Sequence, residues 1–279
     1  MPGAYPKSGP HPPRIVWTVT DGVADVRLNR PDKLNAVDDA MFAALGRAGD
    51  DLAADRSVRA VVISGEGRAF CAGIDLGALS RLTNDAGGRS LGASLVERPE
   101  TRITNGGQHA VWSWHELEVP VIAAVRGVAF GAGFQLALGA DLRFVAPDAQ
   151  LSVMEIRWGL IPDMTGTHLL PRLVGPDVAK EMTWTGRRVG GEEALRIGLA
   201  TRCVADPHAE ALELARELAA KSPHAIRAAK WLLDRSYDTD AADQFAAEER
   251  AIRGLVGSRN QAEAVRAGLE DRVPNFEDA

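Results

Sequence analysis

The chain has 279 residues, 46% of them apolar and 25% charged, with a formal net charge of −6. That is enough apolar material for one large core, and the mild, interspersed charge argues against a nucleic-acid or membrane-surface binder. Two cysteines, Cys71 and Cys203, exclude a disulfide scaffold and suit a reducing cytoplasm, and no run reaches the length of a membrane span.

Residues 1–13 are rich in Pro and Gly, lack the apolar core of a signal peptide, and read as a disordered tail. Ile15–Thr20 and Val23–Leu28 alternate as two strands joined at Asp21-Gly22, a hairpin signal. Asp38 or Asp39 can cap a helix running through Met41, Phe42 and Leu45 towards Leu52. A β-branched run over 58–64 predicts a buried strand, and residues 80–107 read as a mobile excursion over a site. A helix over 109–117 precedes strands at Val121–Val125, Leu142–Val145 and 151–153. Helix signals follow over 167–173, 177–185, 192–197, 210–221, 223–233 (Ser222 as cap, Pro223 at the first helical position), 241–256 and 261–272. Strands alternating with helices predict an α/β core over 14–205. The all-helical remainder, 206–279, has no obvious core of its own and must pack on the first part or on another copy.

Two glycine-and-alanine loops, each following an apolar run, carry most of the chemical information. The first is Gly65-Glu66-Gly67-Arg68-Ala69-Phe70-Cys71-Ala72-Gly73-Ile74-Asp75-Leu76, and the second Gly127-Val128-Ala129-Phe130-Gly131-Ala132-Gly133-Phe134-Gln135. Small residues let a ligand approach the backbone, and free N–H groups at a helix start attract negative charge. Two such turns facing one another hold a carbonyl oxygen as it becomes an oxyanion; read singly, each is an ordinary tight turn. Neither is a dinucleotide loop: the third glycine of G-x-G-x-x-G is replaced by Leu136 in one and Phe70 in the other. Cys71 reads as a packing residue.

These loops, with Leu28-Asn29-Arg30-Pro31-Asp32-Lys33-Leu34-Asn35-Ala36 and Met154-Glu155-Ile156-Arg157-Trp158-Gly159-Leu160-Ile161-Pro162, resemble the enoyl-CoA hydratase/isomerase (crotonase) superfamily in order and spacing over roughly 14–276. The resemblance implies a spiral of ββα units with a C-terminal helical trimerisation region, trimers or paired trimers, and an unsaturated acyl-CoA thioester as substrate. Coenzyme A is then part of the substrate, no further cofactor is needed, and no metal or covalent nucleophile is expected.

By position the resemblance assigns the oxyanion hole to the backbone amides of Ile74 and Ala132, where most relatives carry Gly for Ala132. It assigns substrate contacts to Lys33, Leu34 and Ala36, at the adenosine and phosphate groups, and to Ala72, Asp75, Leu76 and Gly131. A C-terminal aromatic and lysine that relatives supply from an adjacent subunit fall near Gly268 and Asp271, with Arg272 one position off as a substitute. Hydratases of the family use two glutamates; here the first is Gln135, which cannot exchange a proton at neutral pH, and the second is Glu155. Asp163, eight residues beyond Glu155, is a second acid at a spacing similar to that of dienoyl-CoA isomerases, or a turn or helix-cap residue. The expected activity is 2-enoyl-CoA hydration or double-bond isomerisation through a stabilised enolate. A non-catalytic acyl-CoA binder, or an acyl-CoA hydrolase or decarboxylase, are the alternatives.

Overall fold

In a computed structural model of the chain, residues 12–78 and 97–278 are described. The expected tail falls almost wholly outside them, as does the larger part of the expected excursion over 80–107. The first hairpin, β1 (Ile15–Thr20) and β2 (Val23–Leu28), turns at Asp21 and Gly22, both with positive φ (51° and 79°). That is the two-residue turn whose twist matches the strands. Helix α1 (Asp39–Ala54) is capped by Asp38, whose carboxylate accepts the Met41 amide at 2.8 Å.

The main sheet runs β1-β2-β3-β4-β6-β9, with β3 at Ala60–Gly65, β4 at Val121–Val125, β6 at Leu142–Val145 and β9 at Arg202–Cys203. β1 and β2 pair antiparallel and all later neighbours pair parallel. A second sheet holds β5 (Val128–Phe130), β7 (Gln150–Ser152) and β8 (Val189–Gly190). Periodicity did not mark β5, β8 or β9, because strands of two or three residues are too short to show it. Between these strands lie α2 (Gly106–His115), α3 (Ala132–Leu138), α4 (Gly166–Val174), α5 (Pro176–Thr185) and α6 (Gly191–Arg196). Helix α2 starts three residues before the expected 109, because Asn105 and Gln108 form a reciprocal capping box.

Strand β3 shows why both sheet faces are covered. Val61 and Ile63 point into the large core beneath α1 and α2, while Ala60 and Val62 face a second cluster. That second face is closed by α7 (Pro207–Ala219), whose Ala211, Ala215 and Ala219 form a small-residue stripe that sits close on the strands. The helical remainder therefore divides. Helix α7 joins the core, whereas α8 (Pro223–Arg235), α9 (Ala241–Leu255) and α10 (Arg259–Leu269) bury little apolar surface within the chain.

Candidate active site

The two glycine-rich loops lie against each other. The first runs as a one-bridge strand beside β5, with Cys71 paired to Ala129, and its amides bond to the Arg126 and Val128 carbonyls. The contact is tight enough to require glycine. A Cβ on Gly73 (φ +92°) would sit 2.7 Å from the Phe130 carbonyl oxygen and 3.8 Å from the Ala132 nitrogen. Gly73 therefore brings the amide of the next residue, Ile74, alongside that of Ala132, the first residue of α3. Neither N–H donates to any described residue, and both border one cavity of about 670 Å³. Two unspent donors at a helix start and an adjoining loop suit a developing negative charge.

Glu155 opens a short 3-10 helix (Glu155–Trp158) after β7, rather than ending a strand. Its carboxyl reaches the second loop: a Cβ on Gly131 (φ +50°) would lie 3.5 Å from Glu155 Oε1 and 3.9 Å from Oε2. Gln135, on α3, is 1% exposed. Its Oε1 accepts the backbone amides of Met164 (2.8 Å) and Gly166 (3.0 Å), so its Nε2 is turned to donate to Glu155 Oε1 at 2.7 Å. Those backbone donors settle the amide's orientation, since a flipped Gln135 would set NH2 against N–H. Glu155 Oε2 is buried and has no partner among the described residues. Burial pushes the Glu155 carboxyl above the ordinary glutamate range, and the nearby charge of Asp163 adds to the rise, while the Gln135 amide opposes it. Asp163 is exposed, borders the same cavity, and is pushed up by partial desolvation of its carboxyl.

Of the residues expected at the site, Lys33, Ala36, Ala72, Ile74, Asp75, Leu76, Gly131, Ala132, Gln135, Glu155 and Asp163 border this cavity. Leu34 does not. It takes a left-handed conformation (φ 50°) after the 3-10 turn Pro31–Lys33, and its carbonyl accepts the Ala72 amide at 2.9 Å. Asp75 is committed within the chain: its carboxylate accepts Arg30 Nη1 at 2.7 Å, which holds it below the usual aspartate range, and the Gly77 amide at 2.8 Å. Arg272 is also engaged, its guanidinium on Glu263 and Glu270 at 2.6 Å each. Cys71 is fully buried, its thiol pushed up to about 12 by burial, so it stays protonated and packs.

Motif reading passed over Asn35 and the apolar wall. Asn35 is buried at φ 55°; its Oδ1 accepts the Arg30 amide, and its Nδ2 donates to the Glu66 and Ala69 carbonyls. An asparagine tolerates that backbone region and satisfies all three groups. Phe42, Phe130, Met154, Trp158 and Met164 supply the wall. They come from three stretches, around 42, 130 and 154–164, and only the fold brings these into one wall.

The fold and the paired loops define a crotonase-type α/β protein. The structure matches that of enoyl-CoA hydratase from Bacillus anthracis with a TM-score of 0.85 and 29% identity, covering 94% of this chain and 98% of that one. The family model described as enoyl-CoA hydratase/isomerase matches residues 18–279, and the chain belongs to that family. The chain is 37% identical over 211 residues to carnitinyl-CoA dehydratase from Salmonella enteritidis, covering 75% of each chain. It is 30% identical over 262 residues to mitochondrial methylglutaconyl-CoA hydratase from Mus musculus, covering 91% of this chain and 79% of that protein. Among the described residues no helix is long and apolar enough to cross a membrane.

Proposed function

We propose that the protein moves a double bond within an unsaturated acyl-CoA thioester, through an enolate held by the Ile74 and Ala132 amides. The observation that carries this reading is the state of Gln135. Both lone pairs of its Oε1 are taken by backbone amides, and one N–H of its Nε2 is given to Glu155. It thus leaves an attacking water no acceptor on that side. Glu155, ionised, removes the C2 proton of a 3-enoyl thioester through Oε2. The electron pair shifts into the carbonyl, whose oxygen receives both N–H donors, and the double bond moves to C2–C3 as a proton returns to C4. In a 3,5-dienoyl thioester the proton returns at C6, and Asp163, a second carboxyl on the same cavity, delivers it. The chemistry needs only the side chains and the substrate. Hydration is the second reading, supported by the names of the relatives and by the unpartnered Glu155 Oε2.

The deciding experiment offers crotonyl-CoA and a 3,5-dienoyl-CoA, following products by mass and ultraviolet absorbance. Conversion of the diene to its conjugated 2,4 isomer, outpacing gain of water by crotonyl-CoA, is the expected result, and Asp163→Asn should depress it while sparing hydration. The reverse order of rates returns the protein to the hydratases, release of free CoA makes it a hydrolase, and tight binding without turnover makes it a binder. Gln135→Glu should raise crotonyl-CoA hydration, towards the roughly 10²-fold that a general acid–base contributes. Its carboxyl would face Glu155 at hydrogen-bond distance, so the two titrate as a pair and the rate–pH profile becomes bell-shaped.

We further infer assembly into a trimer or hexamer through α8–α10. Leu233 (69% exposed), Phe245 (65%) and Leu269 (84%) stand as large apolar side chains on these helices, which association would bury. Light scattering at micromolar concentration should return three or six times the 29.8 kDa chain mass; a stable monomer rules the assembly out. Two free cysteines, Cys71 and Cys203, support a place in the cytoplasm.

A further inference from the structure

The Ile74 amide sits in a loop that no regular element supports on its own. Its position is inherited from residues 34–37, through three backbone bonds. The Ala72 amide donates to the Leu34 carbonyl (2.9 Å), the Val37 amide to the Gly73 carbonyl (2.8 Å), and the Asp75 amide to the Val37 carbonyl (2.9 Å). One side chain ties this strip together from outside the cavity. Arg30 Nη1 donates to the Ala36 carbonyl at 2.9 Å and to Asp75 Oδ2 at 2.7 Å. Asp75, the residue after the donor, turns its other oxygen onto the Gly77 amide, so its carboxylate orients the chain just beyond Ile74. On its other side Arg30 Nε lies 3.7 Å from Asp38, which caps α1 and pairs with Arg14 at 2.6 Å. The Arg30 and Asp75 side chains are 14% and 21% exposed, so this charge-assisted bond acts largely out of water.

We propose that Arg30 is a positioning residue for the oxyanion hole: by clamping Asp75 to the Ala36 carbonyl it aims the Ile74 N–H at the thioester oxygen. The proposal rests on the enolate reading above. Arg30 is not among the described residues that border the cavity, so its effect must pass through Asp75 and the loop. An aimed donor stabilises the charge that develops in the transition state more than the neutral ground state. Loss of the clamp therefore lowers kcat and leaves substrate affinity nearly unchanged.

The test combines kinetics with a spectroscopic probe, 4-dimethylaminocinnamoyl-CoA, whose absorbance moves to longer wavelength when its carbonyl is polarised. The wild-type protein should bind the probe with a red shift. Arg30→Met should bind it within roughly threefold of the same affinity, lose most of the shift, and turn over its substrate about 10- to 100-fold more slowly, below the ~10²–10³ that removal of a whole donor costs. Arg30→Lys should recover part of both signals, because a lysine ammonium has donors for Asp75 and the Ala36 carbonyl but lacks the planar guanidinium that also sets Nε 3.7 Å from Asp38. Asp75→Asn, which keeps an acceptor for Gly77, reads the clamp from its other end and serves where Arg30→Met does not fold. The double variant should be no slower than Arg30→Met alone, since both changes break one interaction. An Arg30→Met protein with the wild-type red shift and kcat overturns the clamp, as does one whose affinity falls while kcat holds. A wild-type protein that binds the probe without any shift overturns the enolate reading itself, and the two failures are told apart by which protein shows them.

Discussion

Replacing Glu155 with glutamine is expected to lower turnover roughly 10²–10⁴-fold while acyl-CoA binding is retained, because the amide keeps the shape and cannot carry a proton. Glu155 is the carboxyl that reaches the second glycine-rich loop, and its Oε2 has no partner among the described residues. Wild-type turnover in this variant would make Glu155 structural and remove the mechanism. The same substitution should stabilise the fold at neutral pH. Burial holds the folded-state pKa of Glu155 above its ordinary value of 4.5, so the folded chain keeps a proton that the unfolded chain has released. Stability then falls as pH rises through the window that opens at 4.5 and ends at the folded value. Glu155→Gln removes that loss, and its Tm should exceed the wild type's at pH 7 and converge with it below pH 4. As a base, Glu155 must ionise, so wild-type kcat/KM should climb with pH to a plateau whose midpoint lies above the ordinary glutamate range.

Ala132→Pro should cost ~10²–10³ in kcat, the usual worth of one oxyanion-hole donor. The substitution deletes the N–H and puts the ring's Cδ where the hydrogen pointed, so steric exclusion of the carbonyl oxygen adds to the lost bond. Ala132 is the first residue of α3, where proline fits the helical φ and no intrahelical bond is lost. Ala132→Gly is the paired control and should stay within about threefold of wild type, because the donor is backbone and the side chain adds only a methyl group. Circular dichroism and probe affinity check that the proline variant is folded and still binds. If its kcat matched the wild type's, the carbonyl oxygen would lie elsewhere in the cavity.

Sheet order and site differ in how far they could be read along the chain. The long elements were legible: α1 with its Asp38 cap, the β1–β2 hairpin at Asp21-Gly22, and the helices from α4 to α10 all fall within a few residues of their expected bounds. Periodicity and capping are local, so each segment announces them by itself. Ile74, Ala132, Gln135 and Glu155 came to notice through the family resemblance, by their positions in the matching blocks. The short strands β5, β8 and β9 exist through their neighbours, and no local pattern marks them.

What the sequence by itself determined is the inventory: an α/β chain with two glycine-rich loops, Gln135 just after the second, Glu155, and a second acid, Asp163, eight residues on. Only the tertiary structure decided how those groups are used. It turned Gln135 through the Met164 and Gly166 amides so that it donates to Glu155, and it left Glu155 Oε2 without a partner among the described residues. It also removed Asp75 from the free polar groups of the cavity by pairing it with Arg30, 45 residues earlier. A side chain's role depends on which donors and acceptors remain unspent. That count is set by contacts between distant segments, which spacing along one chain does not encode.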